Sequence, residues 1–300
     1  MHARIALAIA VVLLETFPQA QEPPPAQVSV RGRPAQPGSV LEITVRGGDG
    51  LSDPKGTAFG RPLVFLAGPE PRVWRTLVGV DVATPTGPGR FRIHFASPGG
   101  RELTTTGTID VVSRAFATRR LTVASQFVDP SPAELARIRS EAARLETIFG
   151  TVSAAERLDS FVAPLPGVPG SNFGSRSIFN GEPRAPHAGT DFRGPTGTPI
   201  PAPAAGRVVL AEDLFFTGQT VIIDHGAGLY SLLAHLSRID VAPGQAVARG
   251  DVVGLLGATG RVTGPHLHWT VRLNGARVDP LRLVALLAPA QPGAAPGRGP

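Results

Sequence analysis

The sequence predicts a mainly β protein made of two β-rich domains joined by an amphipathic helix. Short runs of β-branched, aromatic and aliphatic residues recur over residues 27–113 and again over 167–287, separated by turns rich in glycine and proline. Between these regions, apolar residues follow helical spacing over residues 132–149. The length of 300 residues suits about two domains of ~100–200 residues each.

The first 20 residues predict a secretory signal peptide. Arg4 supplies a positive start, residues 5–14 form an apolar run, and Ala20 stands before the expected cleavage point. The run is shorter than the ~20 residues of a membrane-spanning helix, and 0 cysteines leave no site for a lipid-modified cysteine. We therefore expect export to the periplasm or the extracellular cell wall, with no stable membrane anchor. A stiff proline-rich linker is predicted at residues 21–26.

An immunoglobulin-like β-sandwich is predicted for residues 27–113. Strand-like runs occur there at 28–31, 40–46, 63–67, 90–95 and 104–112. Many short strands with turns between them and no helical pattern are typical of a sandwich.

Residues 114–166 are predicted to connect the two domains, with one helix at about 132–149. Ser131-Pro132-Ala133-Glu134 has the residues of a capping box with proline at the first helical position, and Gly150 ends the apolar pattern. We expect this helix to brace the two domains.

Residues 167–287 predict an antiparallel β-domain. Strand patterns occur at 206–211, 219–224, 229–235, 251–256 and 267–273, and Asn274-Gly275 is a strong hairpin turn. No run in this region has convincing helical periodicity. The last residues, 288–300, are rich in alanine, proline and glycine and predict a disordered tail.

The histidines of the second domain predict a metal or acid–base site. On a strand, His266 and His268 share one face, while Leu267 and Trp269 point to the opposite face. Catalytic zinc sites commonly use three nitrogen or oxygen ligands and an open position. His187, Asp191 and either His266 or His268 could supply three ligands, and the remaining histidines could then handle a proton.

The order of these motifs resembles the M23 family of zinc metallopeptidases, the LytM or lysostaphin-like peptidases. The motifs are His187-x-x-x-Asp191, then Ala234-His235-Leu236-Ser237, then Gly264-Pro265-His266-Leu267-His268, and the similarity covers residues 167–283. The resemblance implies one Zn²⁺ per chain, bound by His187, Asp191 and His268. It also implies two catalytic histidines, His235 and His266. One would help to deprotonate the attacking water and the other would stabilise the oxyanion, without an assignment of which does which.

The resemblance implies a zinc endopeptidase that hydrolyses peptide bonds in peptidoglycan cross-links or stems. Two alternatives are a catalytically silent LytM-type activator of a cell-wall amidase and a pure wall-binding protein. Silent members usually lack several site residues, whereas all five are present here, which favours the enzyme.

Charge and composition indicate the partners of the chain. The net charge of +6 favours anionic partners, such as nucleic acid, a membrane surface or an acidic wall polymer, and the absence of an arginine stripe or nucleic-acid motif argues against nucleic acid. Peptidoglycan is therefore the expected partner, and a cell-wall or divisome regulator is a further candidate.

Overall fold

The computed structural model describes residues 26–121, 130–155, 159–166, 172–179, 181–183 and 185–288. The predicted signal peptide lies outside these residues, as do all of the linker except Ala26 and all of the tail except Ala288. Strands dominate the described residues and two helices accompany them, so the mainly β fold class is confirmed. Neither of these two helices is long and apolar enough to span a bilayer.

The N-terminal region forms two four-stranded antiparallel sheets that enclose one core. Their orders are β1-β2-β6-β5 and β4-β3-β7-β8. The strands are β1 (Ala26–Arg31), β2 (Val40–Gly47), β3 (Lys55–Ala58), β4 (Arg61–Leu63), β5 (Leu66–Ala67), β6 (Val73–Gly79), β7 (Gly87–Ala96) and β8 (Glu102–Val111). Ile43 of β2, Ile93 of β7 and Ile109 of β8 meet in the core between the sheets. This is a β-sandwich, while its immunoglobulin-like topology stays a prediction.

The sandwich differs from the sequence pattern in two regions, residues 55–67 and 73–79. The predicted strand at 63–67 is wrong, because β4 pairs with β3 in one sheet and β5 pairs with β6 in the other. Strand β6 was not predicted, although it lies between β2 and β5. Six of its seven residues are buried, so it lacks the alternation that marks a half-exposed strand.

Helix α1 (Pro132–Gly150) follows the sandwich and lies against the second domain. The Ser131 hydroxyl accepts a hydrogen bond from the Glu134 amide at 3.3 Å, and the Glu134 carboxylate accepts one from the Ser131 amide at 2.8 Å. These two bonds form the predicted capping box. Near the other end of the helix, Phe149 packs edge-on against Tyr230 with ring centroids 5.7 Å apart. The helix is therefore fixed at both ends, once by its cap and once by packing.

A nine-stranded antiparallel sheet forms the C-terminal domain. Its main path runs in the order β12-β19-β16-β15-β14-β17, with β13, β18 and β20 paired beside it. The strands are β12 (Gly189–Arg193), β13 (Pro199–Pro201), β14 (Gly206–Leu214), β15 (Gly218–Asp224), β16 (Leu229–Ile239), β17 (Ala246–Val247), β18 (Val252–Leu256), β19 (His266–Leu273) and β20 (Ala276–Val278). A separate small sheet contains β9 (Thr118–Leu121), β10 (Arg176–Phe179) and β11 (Glu182–Pro183). Strands β9 and β10 are parallel, unlike the rest.

A short helix, α2 (Pro280–Leu286), ends the described chain and was not expected from periodicity. Asp279 caps it, because its carboxylate accepts a hydrogen bond from the Leu281 amide at 3.1 Å. Seven residues make only two turns, too few for a periodic apolar pattern to stand out.

The two faces of the large sheet differ in burial along β19. Leu267, Trp269 and Val271 of β19 are fully buried in the main core on one face. His266 and His268, which alternate with them, lie on the other face and remain partly exposed. The predicted separation of a buried face and a histidine-bearing face on one strand is therefore confirmed.

Charged contacts fix the two domains against each other. The Asp81 carboxylate accepts hydrogen bonds from the Arg277 guanidinium at 2.7 and 3.0 Å and from the Arg277 amide at 2.8 Å. Burial would raise the pKa of Asp81, but the hydrogen bonds from Arg277 outweigh it and lower that pKa. A second pair joins Arg114 to Asp279 at 2.7 Å. The sandwich is thus packed on the domain that carries the histidines.

Candidate metal centre and active site

Pairing between β12 and β19 brings the first two candidate ligands together. Asp191 stands directly opposite His268 in the antiparallel register, and Gly189 stands opposite Thr270. A Cβ atom at Gly189 would lie 2.7 Å from Cε1 of His268 and 2.5 Å from the Trp269 carbonyl oxygen. Glycine is needed here because the His268 ring and the neighbouring backbone occupy the space of a side chain.

Three donor atoms converge at this point. Oδ1 of Asp191 lies 2.8 Å from Nδ1 of His268 and 3.2 Å from Nε2 of His187. His187 lies just before β12, held by hydrogen bonds from its amide to the Ser175 carbonyl and from the Gly174 amide to its own carbonyl. The candidate ligand atoms of the three residues all lie within 4.8 Å of one another.

The electrostatics of the cluster favour an ionised Asp191 carboxylate beside a neutral His268 ring. Burial would raise the pKa of Asp191, but hydrogen bonds from His187 and His268 outweigh it and hold that pKa well below its usual range. Burial lowers the pKa of His268, which favours the neutral ring. A deprotonated carboxylate and neutral imidazoles are the forms that bind metal ions.

Two polar residues orient these ligands and were not singled out from the sequence. Asn172 donates from Nδ2 to Oδ2 of Asp191, and its Oδ1 accepts from the Asp191 amide at 3.2 Å, which leaves Oδ1 of Asp191 facing the histidines. Thr270 Oγ1 lies 2.9 Å from Nε2 of His268, which leaves Nδ1 of that ring facing Asp191. Alternation along β19 could have indicated Thr270, since it shares the face of His268.

The residues present fit a mononuclear metal ion. Two imidazole nitrogens and one carboxylate oxygen converge, and outer partners fix the orientation of Asp191 and His268, as is usual for metal ligands. A three-residue ligand set leaves a coordination position open, which distinguishes a catalytic site from a closed structural one.

His235 and His266 lie beside this cluster. The ring centroids of His235 and His266 are 4.8 Å apart, and those of His235 and His268 are 5.8 Å apart. Nε2 of His266 lies 3.9 Å from Oδ1 of Asp191. The structure therefore brings together all five residues that the sequence indicated, while their separate roles stay proposals.

Backbone carbonyls face Nδ1 of both flanking rings. Nδ1 of His235 lies 2.8 Å from the Thr259 carbonyl oxygen, and Nδ1 of His266 lies 2.8 Å from the Gly264 carbonyl oxygen. A carbonyl only accepts hydrogen bonds, so each neutral ring carries its proton on Nδ1 and a lone pair on Nε2. Burial, reinforced by the neighbouring histidines, lowers the pKa of His235 to about 3, so this ring is neutral near pH 7.

The backbone at His235 adopts a left-handed conformation. Its φ is 64°, and its amide donates to the Thr217 carbonyl at 2.9 Å. The register of β16 shifts at and just after this residue: between Leu233 and Leu236 in its pairing with β15, and between Leu236 and Arg238 in its pairing with β18. A non-glycine residue in this conformation costs on the order of 1–3 kcal/mol, and such strain clusters at functional sites.

His225 lies outside the cluster and has a structural role. Its Nδ1 lies 2.7 Å from the Ala205 carbonyl oxygen and its Nε2 lies 2.9 Å from the Ser231 hydroxyl. Ser231 also accepts from Nε1 of Trp269 at 3.1 Å. The ring completes a hydrogen-bond network and packs edge-on against Phe161, with ring centroids 4.8 Å apart.

We expect His225 to make the protein less stable in mild acid. Burial lowers its pKa from 6.5 to about 4 in the folded chain. Between these values the unfolded chain binds more protons, so stability falls as the pH drops, by about 2 kcal/mol from this residue at pH 5. Urea unfolding at pH 7.5, 6 and 5 measures how the free energy of unfolding depends on pH. The slope of this dependence should be shallower in His225→Gln. An identical slope in the variant would contradict this role.

The fold and the cluster of His187, Asp191 and His268 are compatible with a class of proteins that bind a single metal ion on an antiparallel β-sheet. Residues 185–280 match the model of peptidase family M23. A crystal structure of an M23 peptidase from Pseudomonas aeruginosa superposes with a TM-score of 0.65 at 36% identity, covering 84% of this chain and 96% of that one. The chain belongs to peptidase family M23.

Two curated relatives match part of this chain. Peptidoglycan DD-endopeptidase ShyA of Vibrio cholerae is 43% identical over 113 residues, which are 37% of this chain and 26% of the relative. DD-carboxypeptidase/endopeptidase Mpg of Neisseria meningitidis is 44% identical over 103 residues, 34% of this chain and 24% of the relative. The matched region spans about a quarter of the length of each of these relatives.

Proposed function

We propose that the chain is a zinc-dependent endopeptidase that hydrolyses peptide bonds in peptidoglycan cross-links or stems. The observation that carries this proposal is the convergence of His187, Asp191 and His268 on one point with His235 and His266 beside it. The name of the relative ShyA supports peptidoglycan as the substrate, and the names of both ShyA and Mpg support the endopeptidase reaction.

Zinc is the metal that we propose for this centre. Imidazole nitrogens and a carboxylate oxygen suit Zn²⁺, which commonly takes three such ligands in catalytic sites. When bound, zinc polarises the scissile carbonyl and lowers the pKa of a coordinated water toward ~7.

The flanking histidines supply the proton chemistry. His235 and His266 lie beside the cluster, and a backbone carbonyl holds the proton of each neutral ring on Nδ1, which leaves a lone pair on Nε2. One ring accepts the proton of the attacking water at Nε2 and can then donate it to the departing nitrogen. The other is placed to stabilise the charge that develops on the carbonyl oxygen.

We also propose that the chain is exported and acts in the periplasm or the extracellular wall. Two sequence features support this: the signal-peptide pattern of residues 1–20 and a net charge of +6, which suits an anionic wall polymer. A regulator of wall growth or cell division remains a proposed further partner.

Purified peptidoglycan provides the test of this function. The full chain is incubated with the peptidoglycan, either with added zinc or with a chelator. The muropeptides are then separated by chromatography and identified by mass spectrometry. We expect a loss of cross-linked dimers with zinc and none with chelator, and the product masses identify the bond. If the zinc-loaded chain cleaves nothing but stimulates a cell-wall amidase, the silent-activator alternative is correct instead.

A further inference from the structure

A cavity of about 710 Å³ lies beside the metal centre. Its walls include His268, Thr270 and Arg272 of β19, Phe149 of α1 and Arg61 of β4. The sandwich, the connecting helix and the large sheet therefore all contribute to it. Since His268 lies in its wall, a peptide whose reacting bond is at the metal centre can extend into it.

Arg272 lies in this cavity without a matching anion. Its Nε atom is buried and has no hydrogen-bond partner, and its Nη1 donates only a long bond, 3.4 Å, to the Gly275 carbonyl. Its guanidinium lies over the Phe149 ring, 5.1 Å from the centroid. Among the described residues, no carboxylate forms a salt bridge with it. A partly buried cation in this state is stabilised by any anion that enters.

The charges around Arg272 also favour the binding of an anion. Burial, together with the positive charge of Arg277 and Arg61, lowers the pKa of Arg272 to about 10, so it still carries its charge near neutral pH. Asp81 acts in the opposite direction, but its carboxylate oxygens already accept hydrogen bonds from Arg277. This nearby carboxylate is therefore engaged elsewhere.

Arg61 adds a second guanidinium to the same cavity. It reaches from the sandwich to the β19–β20 turn, where its Nη1 donates to the Asn274 carbonyl oxygen at 3.2 Å. Among the residues that the structure describes, exposed Glu146 of α1 is the only carboxylate in the cavity wall. With two arginines against one glutamate, the cavity is electropositive.

We propose that this cavity is a binding site for a free carboxylate of the peptide substrate, held by Arg272 and Arg61. Guanidinium groups match carboxylates in geometry and form strong, charge-assisted hydrogen bonds with them. His268 and Arg272 are four residues apart on β19, ~13 Å at about 3.3 Å per residue. The carboxylate recognised here is therefore three or four extended residues away from the cleaved bond. The inference rests on the proposed function, because it takes the bound molecule to be the peptide that is cleaved.

The test compares two synthetic peptides that differ only in charge. Acetylated tetrapeptides ending in D-alanine, one as the free acid and one as the carboxamide, are titrated calorimetrically into the full chain. The titrations are made with zinc and again with a chelator, which excludes direct binding of the carboxylate to the metal. We expect the free acid to bind at least about 10-fold tighter than the amide in both conditions, the effect of one charge-assisted contact.

Variants test whether the preference for the free acid over the carboxamide depends on the arginines of the cavity. Arg272→Gln and Arg61→Gln should each reduce the acid preference severalfold. Arg92→Gln, an exposed arginine of β7, should leave it unchanged, and Glu146→Gln should leave it equal or larger. Arg272 packs on Phe149, so its variant can fail to fold, whereas Arg61 lies in a short strand of the sandwich and decides the question alone.

The outcomes separate this inference from the proposed function. Equal affinity for acid and amide in the unaltered chain, or no binding of either peptide, overturns the carboxylate site even if the chain digests peptidoglycan. An acid preference that persists undiminished in both arginine variants overturns it as well. An acid preference that these variants abolish, in a chain that cleaves no peptidoglycan, supports the site and refutes the proposed reaction.

Discussion

Replacing His235 by alanine is expected to lower kcat/KM for peptidoglycan peptides by about 10²–10⁴, the usual contribution of a general acid or base. The reason is that Nε2 of this ring carries a lone pair beside the metal centre while Nδ1 is held by the Thr259 carbonyl. His235 is not among the three residues whose donor atoms converge, so the metal content should not change. Kinetics with a defined cross-linked peptide, with metal analysis of the same sample, measure both quantities.

A matched substitution shows whether the loss is specific to the site. His94 is a partly exposed histidine of β7 in the sandwich. Its Nδ1 lies 3.0 Å from the Thr104 hydroxyl oxygen and 2.6 Å from a carboxylate oxygen of Glu102. His94→Ala should retain full activity and metal content. Near-normal turnover in His235→Ala would show that this ring does not handle the proton, and loss of metal from it would show that the residue is a ligand.

Replacing Asp191 by alanine is expected to remove both the metal and the activity. Oδ1 of Asp191 lies within hydrogen-bond distance of His187 and His268, so the carboxylate is the central donor of the cluster. Loss of an outer-shell partner weakens metal affinity by about 10–100-fold, and loss of a direct ligand should weaken it further. His187→Ala should behave in the same way. Metal content after dialysis and hydrolysis rates are the two readouts.

Asp240 provides the control for this variant. It lies in the same domain, where its carboxylate pairs with Arg238 at 2.5 Å, away from the cluster. Asp240→Ala should keep the metal and the activity. Full metal occupancy in Asp191→Ala, with activity retained, would refute the ligand assignment.

Periodicity predicted the arrangement of two histidines of the site, whereas the set of five residues came from the resemblance to the M23 family. Alternation along β19 placed His266 and His268 on one face and Leu267 and Trp269 on the other, and the structure has both pairs as predicted. The capping box at Ser131 likewise predicted where α1 begins. Such signals are local, because strand and helix periods depend only on neighbouring residues.

The remaining features depend on contacts between distant parts of the chain. Asn172 acts on Asp191 and Arg61 reaches the Asn274 carbonyl, and no local pattern encodes either contact. Strand β6 is buried on nearly all its positions, so its period is hidden. The cavity beside His268 is formed by the sandwich, helix α1 and the sheet together, and it becomes visible only in the folded protein.

The most direct measurement of the central claim is the rate of hydrolysis of a cross-linked peptidoglycan peptide as zinc is added to the metal-free chain. If His187, Asp191 and His268 form one centre, we expect no hydrolysis without metal. The rate should then rise linearly with added zinc and reach a plateau at one equivalent per chain. Activity in the rigorously metal-free chain would contradict the account, and so would continued inactivity after one equivalent has bound.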